Sequence, residues 1–231
     1  MRLPNDAGLL DIWEQGHGRG PVARTKLLLA AALPAVDEAG RAALRVSAAD
    51  VALLQLRRAI FGPKLPAETA CRRCAELLVF ELDAGTLIDG LASSSKRDAA
   101  VPDSIRFREP TVADLAALAG ISHADTAQSR LASQCLLEIE HAEPPSDAEI
   151  AQIDTLYGQG VIRLRMDCAA CGQAWNEDFD IAAYLWEEIA QRAQARLDEI
   201  HVLATSYGWS EPQILALSDA RRAAYLQRCG A

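Results

Sequence analysis

Apolar residues recur at every third or fourth position over much of the chain, the spacing of helices that bury one face. The longest such pattern spans residues 181–207. At ~1.5 Å per residue this helix is about 40 Å long, and its apolar stripe comprises Trp186, Ile189, Ala193, Leu197, Ile200, Ala204 and Tyr207. Shorter helices are predicted over residues 5–16, 22–33, 47–62, 111–118, 126–140, 147–158, 210–213 onward and 221–226.

Capping signals support the start of several of these helices. Asn5 is a favourable N-cap residue for the first helix. Ser47 with Asp50 resembles a capping box in which Asp replaces the usual Glu or Gln, and Ser210 with Gln213 matches the standard box.

Four short segments have strand-like composition, with apolar and polar residues alternating in most of them. They cover residues 76–82, 105–109, 161–166 and 174–179. Residues 84–103 are rich in Gly, Ser, Asp and Lys and predict a loop. The chain is therefore predicted to be α+β and predominantly helical.

Three of these strands border two cysteine pairs of identical spacing. Cys71 and Cys74 form one C-x-x-C pair, Cys168 and Cys171 form the other, and 93 residues separate them. Two such pairs can supply the four thiolates of a structural zinc site. Gly172 follows the second pair, where a tight turn favours a residue that tolerates positive φ, whereas Ala75 holds the matching place after the first. We therefore expect one structural Zn²⁺ in a small zinc ribbon.

Other interpretations of the cysteines remain open. The four could be unrelated buried thiols, or one pair could be a redox motif, although neither pair precedes a helix in a βαβ context. A catalytic zinc is disfavoured because it keeps an open coordination position, which four thiolates would close. Cys135 is expected to be a core residue and Cys229 to be exposed or frayed.

Composition limits the classes of function. The chain has 231 residues, a net charge of −9 and a pI of about 5.0, which disfavours general binding to phosphate backbones. A locally basic stretch nevertheless leaves a nucleic-acid-binding regulator as the alternative: Arg57, Arg58, Lys64, Arg72, Arg73, Lys96 and Arg97. No segment resembles a membrane span or a signal peptide, so a cytoplasmic location is expected. No enzyme motif is evident, and we expect neither catalysis nor a small-molecule substrate.

The C-terminal third holds most of the large aromatic residues. Trp175, Trp186, Tyr207 and Trp209 are clustered in a chain with only 5% aromatic residues. Such a cluster fits either a core between the cysteine region and the long helix or a protein-docking surface.

The tail from Leu203 to Glu211, followed by Ile214, Leu217, Arg221, Arg222, Tyr225 and Leu226, resembles the C-terminal signature of contractile-tail phage baseplate proteins described as baseplate hub assembly chaperones. Residues 11–14, 23–32, 53–62, 108–114 and 168–186 resemble members from bacterial phage-tail-like injection clusters, in which two C-x-x-C pairs recur. The residues between the first two cysteines, Arg72 and Arg73, depart from that pattern, as does Ala75.

The resemblance implies a non-enzymatic assembly chaperone or component of a baseplate hub, bound to other hub, baseplate or spike proteins and either transiently attached to the particle or incorporated in it. The zinc ligands are expected to be Cys71, Cys74, Cys168 and Cys171, and the partner-binding residues Tyr207, Trp209, Arg221, Arg222 and Tyr225. We expect a helical part over residues 1–70, ribbon strands with inserted helices over 71–180, and C-terminal helices over 181–231, joined as one integrated domain.

Overall fold

The computed structural model describes residues 4–94, 105–139 and 161–230. Helices predominate in these ranges, with short antiparallel strands between them, and this mainly helical composition confirms the prediction. The helices are α1 (Asp6–Gly16), α2 (Pro21–Ala32), α3 (Glu38–Ala42), α4 (Val46–Phe61), α5 (Ala84–Ser94), α6 (Val112–Ala117), α7 (Ala124–Cys135), α8 (Ile181–Tyr207), α9 (Glu211–Leu215) and α10 (Asp219–Arg228). None of them is long and apolar enough to cross a membrane.

The strands form three separate two-stranded antiparallel sheets in the described ranges. β1 (Lys64–Ala70) pairs with β2 (Leu77–Asp83), β3 (Ile105–Phe107) with β4 (Leu136–Ile139), and β5 (Arg163–Asp167) with β6 (Ala174–Asp178). In the first and third sheets, a short turn that carries one cysteine pair joins the two strands. The sequence predicted β2, β5 and β6 beside the cysteine pairs, whereas β1 was not predicted.

Local hydrogen bonds explain several helix starts. The Asn5 side chain accepts a hydrogen bond from the backbone N–H of Gly8 at 3.0 Å, as expected for an N-cap. Thr111 and Asp114 form a reciprocal capping box at the start of α6. The Gln213 side chain accepts from the backbone N–H of Ser210 at 2.9 Å, which confirms the box predicted there.

The start of α4 differs from the prediction. Its N-cap is Arg45, and Ser47 already lies in the first turn with its backbone N–H directed at the Glu109 carboxylate, 2.9 Å away. Nearby, Val46 N–H donates to the carbonyl of Pro110 at 2.9 Å. A segment more than 60 residues later in the sequence thus satisfies the free N–H groups of this helix. The local Ser47–Asp50 motif is not needed as a cap.

Two further expectations were wrong in part. Residues 84–94 form α5 instead of a loop, and the Asp83 carboxylate accepts from the Thr86 backbone N–H at 3.0 Å at its start. Leu91 is buried on this helix, whose two glycines obscured the helical pattern. The helix expected over 126–140 ends at Cys135, because the next residues pair with β3. The helix expected over 147–158 lies outside the described residues.

The chain divides into two compact units. The first comprises residues 29–182, and its buried residues include Leu53, Leu54 and Leu56 of α4. The second comprises the N-terminal residues up to Leu28 and residues 183–231. In the second unit, Leu10 of α1 packs in one core with apolar residues of α8 and with Ile214 of α9. The two ends of the chain therefore share one core.

Two features of the second unit were not predicted. The first is a close approach of α1 to α8, where a Cβ placed on Gly16 would lie 2.4 Å from ring atoms of the buried Trp186. On α2, the Arg24 guanidinium lies 4.5 Å from the centroid of the same Trp186 ring, within cation–π range. Glycine is thus required at position 16 by packing.

The second feature is a buried ionic network. Arg196 Nε lies 2.9 Å from Asp6 Oδ2, Arg222 Nη2 lies 2.6 Å from the same oxygen, and Arg222 Nε lies 3.0 Å from Glu199 Oε2. Burial opposes ionisation of Asp6, but Arg196 and Arg222 outweigh it and lower the pKa of this carboxyl. Arg222 is only 1% exposed. It was expected on a partner-binding surface, and the structure instead places it inside this network.

Candidate metal centre

The first cysteine pair lies in the turn between β1 and β2. Cys71 ends the pairing of the two strands, with its backbone N–H donating to the carbonyl of Glu76 at 2.8 Å. The backbone N–H of Ala75 returns to the carbonyl of Cys71 at 2.9 Å. The backbone N–H of Arg73 also points at Cys71 Sγ, 3.4 Å away. The turn thereby directs both thiols to the same side.

The second pair repeats this turn between β5 and β6. The Cys168 N–H donates to the carbonyl of Gln173 at 2.8 Å, and the Gly172 N–H donates to the carbonyl of Cys168 at 2.9 Å. The residue after each pair has positive φ, 59° at Ala75 and 70° at Gly172. Ala75 is the one non-glycine residue with positive φ in the described ranges. Both turns therefore have the same backbone geometry, although only one has the glycine that favours it.

The four thiol groups meet at one point. All four sulfur atoms lie within 4.8 Å of one another, with Cys71 Sγ 3.6 Å from Cys171 Sγ and Cys74 Sγ 3.7 Å from Cys168 Sγ. None of the cysteines is in a disulfide. Among the described residues, this is the one group of Cys, His or acidic side chains close enough to hold a metal ion. The cluster can therefore bind a metal ion between residues distant in sequence.

The surroundings of the thiols favour a bound cation. The backbone N–H groups of Cys74 and Arg73 lower the pKa of the Cys71 thiol to about 6. At Cys74 the backbone N–H of Glu76 also favours the thiolate, but the neighbouring sulfurs and burial outweigh it and raise the pKa to about 12. Four adjacent thiols cannot all ionise without a compensating positive charge. A metal cation would supply that charge.

An ion pair joins the two hairpins beside the sulfurs, and a hydrogen bond within β6 supports it. Arg72 Nη2 lies 3.0 Å from Glu177 Oε2 on β6, and the Trp175 indole N–H donates to the same carboxylate at 2.9 Å. These two contacts, first the indole and then the guanidinium, lower the pKa of Glu177. Arg72 thus has a partner on the opposite hairpin.

The expected aromatic cluster is distributed over several places. Trp175 belongs to β6, and Trp186 packs against Gly16. Tyr207 and Trp209 stack with centroids 4.7 Å apart, and Tyr225 of α10 contacts both edge-on, at 5.5 and 4.8 Å. We call the last three residues the tail aromatic cluster.

The tail aromatic cluster is partly accessible. Tyr207 is 38% exposed, while Trp209 and Tyr225 are half-buried against the second core. Arg221 is exposed beside it. Cys229, expected to be frayed, is half-buried and its thiol donates to the carbonyl of Tyr225 at 3.3 Å. Cys135 is fully buried, as predicted.

In its described residues, the basic stretch does not form a continuous cationic surface. Arg57 is 2% exposed and its guanidinium donates to the carbonyl of Gly62 at 2.8 Å. Lys64 lies 3.3 Å from Glu81, and Arg72 is paired with Glu177. Lys96 and Arg97 lie outside the described residues. Burial of Arg57 and the ion pairs of Lys64 and Arg72 therefore make three of the expected cations less available to bind phosphate groups.

Asp50, near the start of α4, lies in an environment that the sequence did not predict. Burial, assisted by the neighbouring carboxylates of Asp180 and Glu109, raises the pKa of Asp50 to about 7. The only local signal was an Asp in the first turns of a helix, where acidic residues are common for another reason. Its neighbours come from distant segments, so no sequence pattern identifies it.

Comparisons of the chain with protein-family models, with curated proteins and with solved structures found no match.

Proposed function

We propose that the four cysteines bind one structural Zn²⁺ and that the two hairpins form a zinc ribbon around it. In a tetrahedral site with Zn–S bonds of about 2.3 Å, neighbouring sulfurs are about 3.8 Å apart. The distances of 3.6 and 3.7 Å between cysteines of different hairpins fit this spacing. Four thiolates leave no open position, which supports a structural rather than a catalytic metal.

The zinc proposal is tested by metal analysis of the purified protein. We expect about one zinc per chain, as for a single four-thiolate site. The Cys168→Ser variant should lose the metal, while Cys135→Ser, which alters a buried thiol away from the cluster, should retain it. A folded wild-type protein that holds no metal would contradict the proposal.

We further propose that the protein is a non-enzymatic assembly chaperone or component of the baseplate hub of a contractile phage tail or phage-tail-like injection system. The supporting observation is the cluster of four thiols. Four cysteine ligands would leave a bound metal no open position for catalysis. We therefore infer that the protein acts by binding other proteins through its surface. The sequence resemblance, which includes both cysteine pairs and the tail, supplies the class of partner. The partner surface proposed here is the tail aromatic cluster with Arg221, because large aromatic side chains dominate protein interfaces.

A nucleic-acid-binding zinc ribbon is the alternative, and the charges argue against it. Arg57 is buried, and Lys64 and Arg72 have acidic partners. The chain carries a net charge of −9, which opposes contact with phosphates.

Affinity purification from the native cell tests the functional proposal. We expect baseplate, hub or spike proteins to be captured, and a Tyr207→Ala variant to capture less of them. His201→Ala is a suitable control, because His201 is also exposed on α8 but lies outside the tail aromatic cluster. Capture of nucleic acid in a salt-dependent manner, without tail proteins, would favour the alternative.

A further inference from the structure

The hairpin of β1 and β2 has an outer face with two exposed apolar residues near its cysteine turn. The strand register places Leu77 opposite Ala70 and Val79 opposite Glu68 on this face. Leu77 is 57% exposed and Val79 is 74% exposed. The alternate residues of β1 and β2 are more buried, with Leu65 fully enclosed. One side of the hairpin is therefore packed and the other faces solvent.

In the described part of the chain, Leu77 and Val79 leave more than half of their surface uncovered. A strand with one buried face normally carries polar residues on the other. Here the inward residues of β2 are apolar as well, so the outward leucine and valine add little to the stability of the fold. Five large apolar side chains in the described ranges are exposed, and the two most exposed of them are next-but-one neighbours on this strand. Such an exposed apolar pair is typical of an interaction surface.

The charges around this pair define the partner. Glu68, Glu76 and Glu81 are all exposed on or beside the face. Lys64 is within 3.3 Å of Glu81, whereas Glu68 and Glu76 have no ion pair with any residue in the described part of the chain. Arg72 is paired with Glu177 and Arg73 is the remaining exposed cation of the cysteine turn, so carboxylates outnumber unpaired cations along the rim. A second copy of the same face would bring this excess of carboxylates together, which disfavours self-association.

We propose that this face, defined by Leu77, Val79, Glu68, Glu76 and Glu81, docks a strip of a partner protein that has apolar residues at its centre and Lys or Arg residues at its edges. The two apolar side chains would enter the partner's apolar strip, and the carboxylates would pair with its cations. The cysteine turn joins the two strands directly beside this face. The proposal does not depend on a baseplate role, because it concerns only the chemistry of the partner.

A photo-crosslinking amino acid at position 79 tests this directly in the native cell. Asn176 is the matched control position, since it is exposed in the middle of β6 on the other hairpin. We expect position 79, and not position 176, to cross-link to a partner segment that mass spectrometry identifies as apolar with flanking Lys or Arg. No product from position 79, or a cross-link to an acidic segment or to a second copy of this chain, would overturn the proposal.

The captured segment, made as a synthetic peptide, then allows the affinity to be measured. Replacing both apolar residues, Leu77→Ser with Val79→Ser, should weaken binding about ten-fold or more. Glu68→Gln should weaken it less and reduce its dependence on salt. Both variants should keep the metal content of the wild type, because Leu77, Val79 and Glu68 all lie in the strands and outside the cysteine turns. Unchanged affinity in a variant with intact metal content would contradict the proposal.

Discussion

The alanine with positive φ in the first cysteine turn permits a sharp test of the metal centre. Ala75 and Gly172 hold equivalent positions, with φ of 59° and 70°. Alanine in this conformation costs roughly 1–2 kcal/mol relative to its normal backbone. Glycine avoids that cost but loses about 0.5–1 kcal/mol more in conformational entropy on folding. We therefore expect Ala75→Gly to stabilise the protein by about 0.5–1 kcal/mol.

The reverse change in the second turn is the matched experiment. A Cβ built on Gly172 meets no atom within 4 Å, so Gly172→Ala should be opposed by backbone conformation alone. Its expected effect is a destabilisation of similar size, about 0.5–1 kcal/mol. The double variant should return to within about 0.5 kcal/mol of the wild type if the turns act independently.

Denaturant unfolding at a fixed excess of free zinc measures these differences, because a bound metal contributes to stability by mass action. Competition with a chelator should give a parallel change in metal affinity, about two- to five-fold in each direction. The reasoning would be refuted if Ala75→Gly were neutral or destabilising while Gly172→Ala had no effect. In that case the turns would not hold positive φ in solution.

Three further predictions concern other parts of the chain. Cys168→Ser should lower stability by on the order of 4 kcal/mol, because the metal closes a loop of nearly 100 residues. Cys229→Ser should change stability little, since a hydroxyl can keep the hydrogen bond to the carbonyl of Tyr225. Equal small effects of both variants in denaturant unfolding would contradict a metal that links the two hairpins. Asp50→Asn should stabilise the protein at pH 8 by about 2 kcal/mol. The pKa of Asp50 is raised to about 7 in the fold, so ionisation is disfavoured there and native stability falls between about pH 4 and 8. The gain should disappear near pH 4, and an equal gain at both pH values would exclude this cause. Gly16→Ala should destabilise by about 1–3 kcal/mol in thermal unfolding, because its methyl group would overlap an indole ring. Gly90→Ala, also in a helix but with open space around the position, should instead be neutral or stabilising, and the same loss in both would refute the packing argument.

Much of the local structure followed from short-range patterns. The boundaries of α8 match the predicted segment of residues 181–207. They were predictable because apolar residues recur at helical spacing along this whole segment. Three of the four strands around the cysteine pairs were predicted for a similar reason, since alternation and turn residues act over a few positions. α5 was missed because Gly85 and Gly90 weaken a helical signal that buried packing restores.

The burial of individual charged residues was not predictable from such short-range patterns. Arg57 and Arg222 looked like surface cations in the sequence, and the fold buries both. Each is compensated by groups that local patterns do not reveal, carbonyl oxygens at the end of α4 in one case and the carboxylate of Asp6 in the other. Burial of a charge depends on where its partners lie, and the partner of Arg222 is 216 residues away.

The sequence by itself determined the predominance of helices, the two cysteine turns and the chemistry of the candidate metal ligands, because each depends on residue type and spacing within a few positions. Only the tertiary structure decided that the four thiols meet, that Glu109 caps α4, and that Leu77 and Val79 remain exposed. Those facts depend on which distant segments come together, and that choice is made by burial and packing summed over the whole chain.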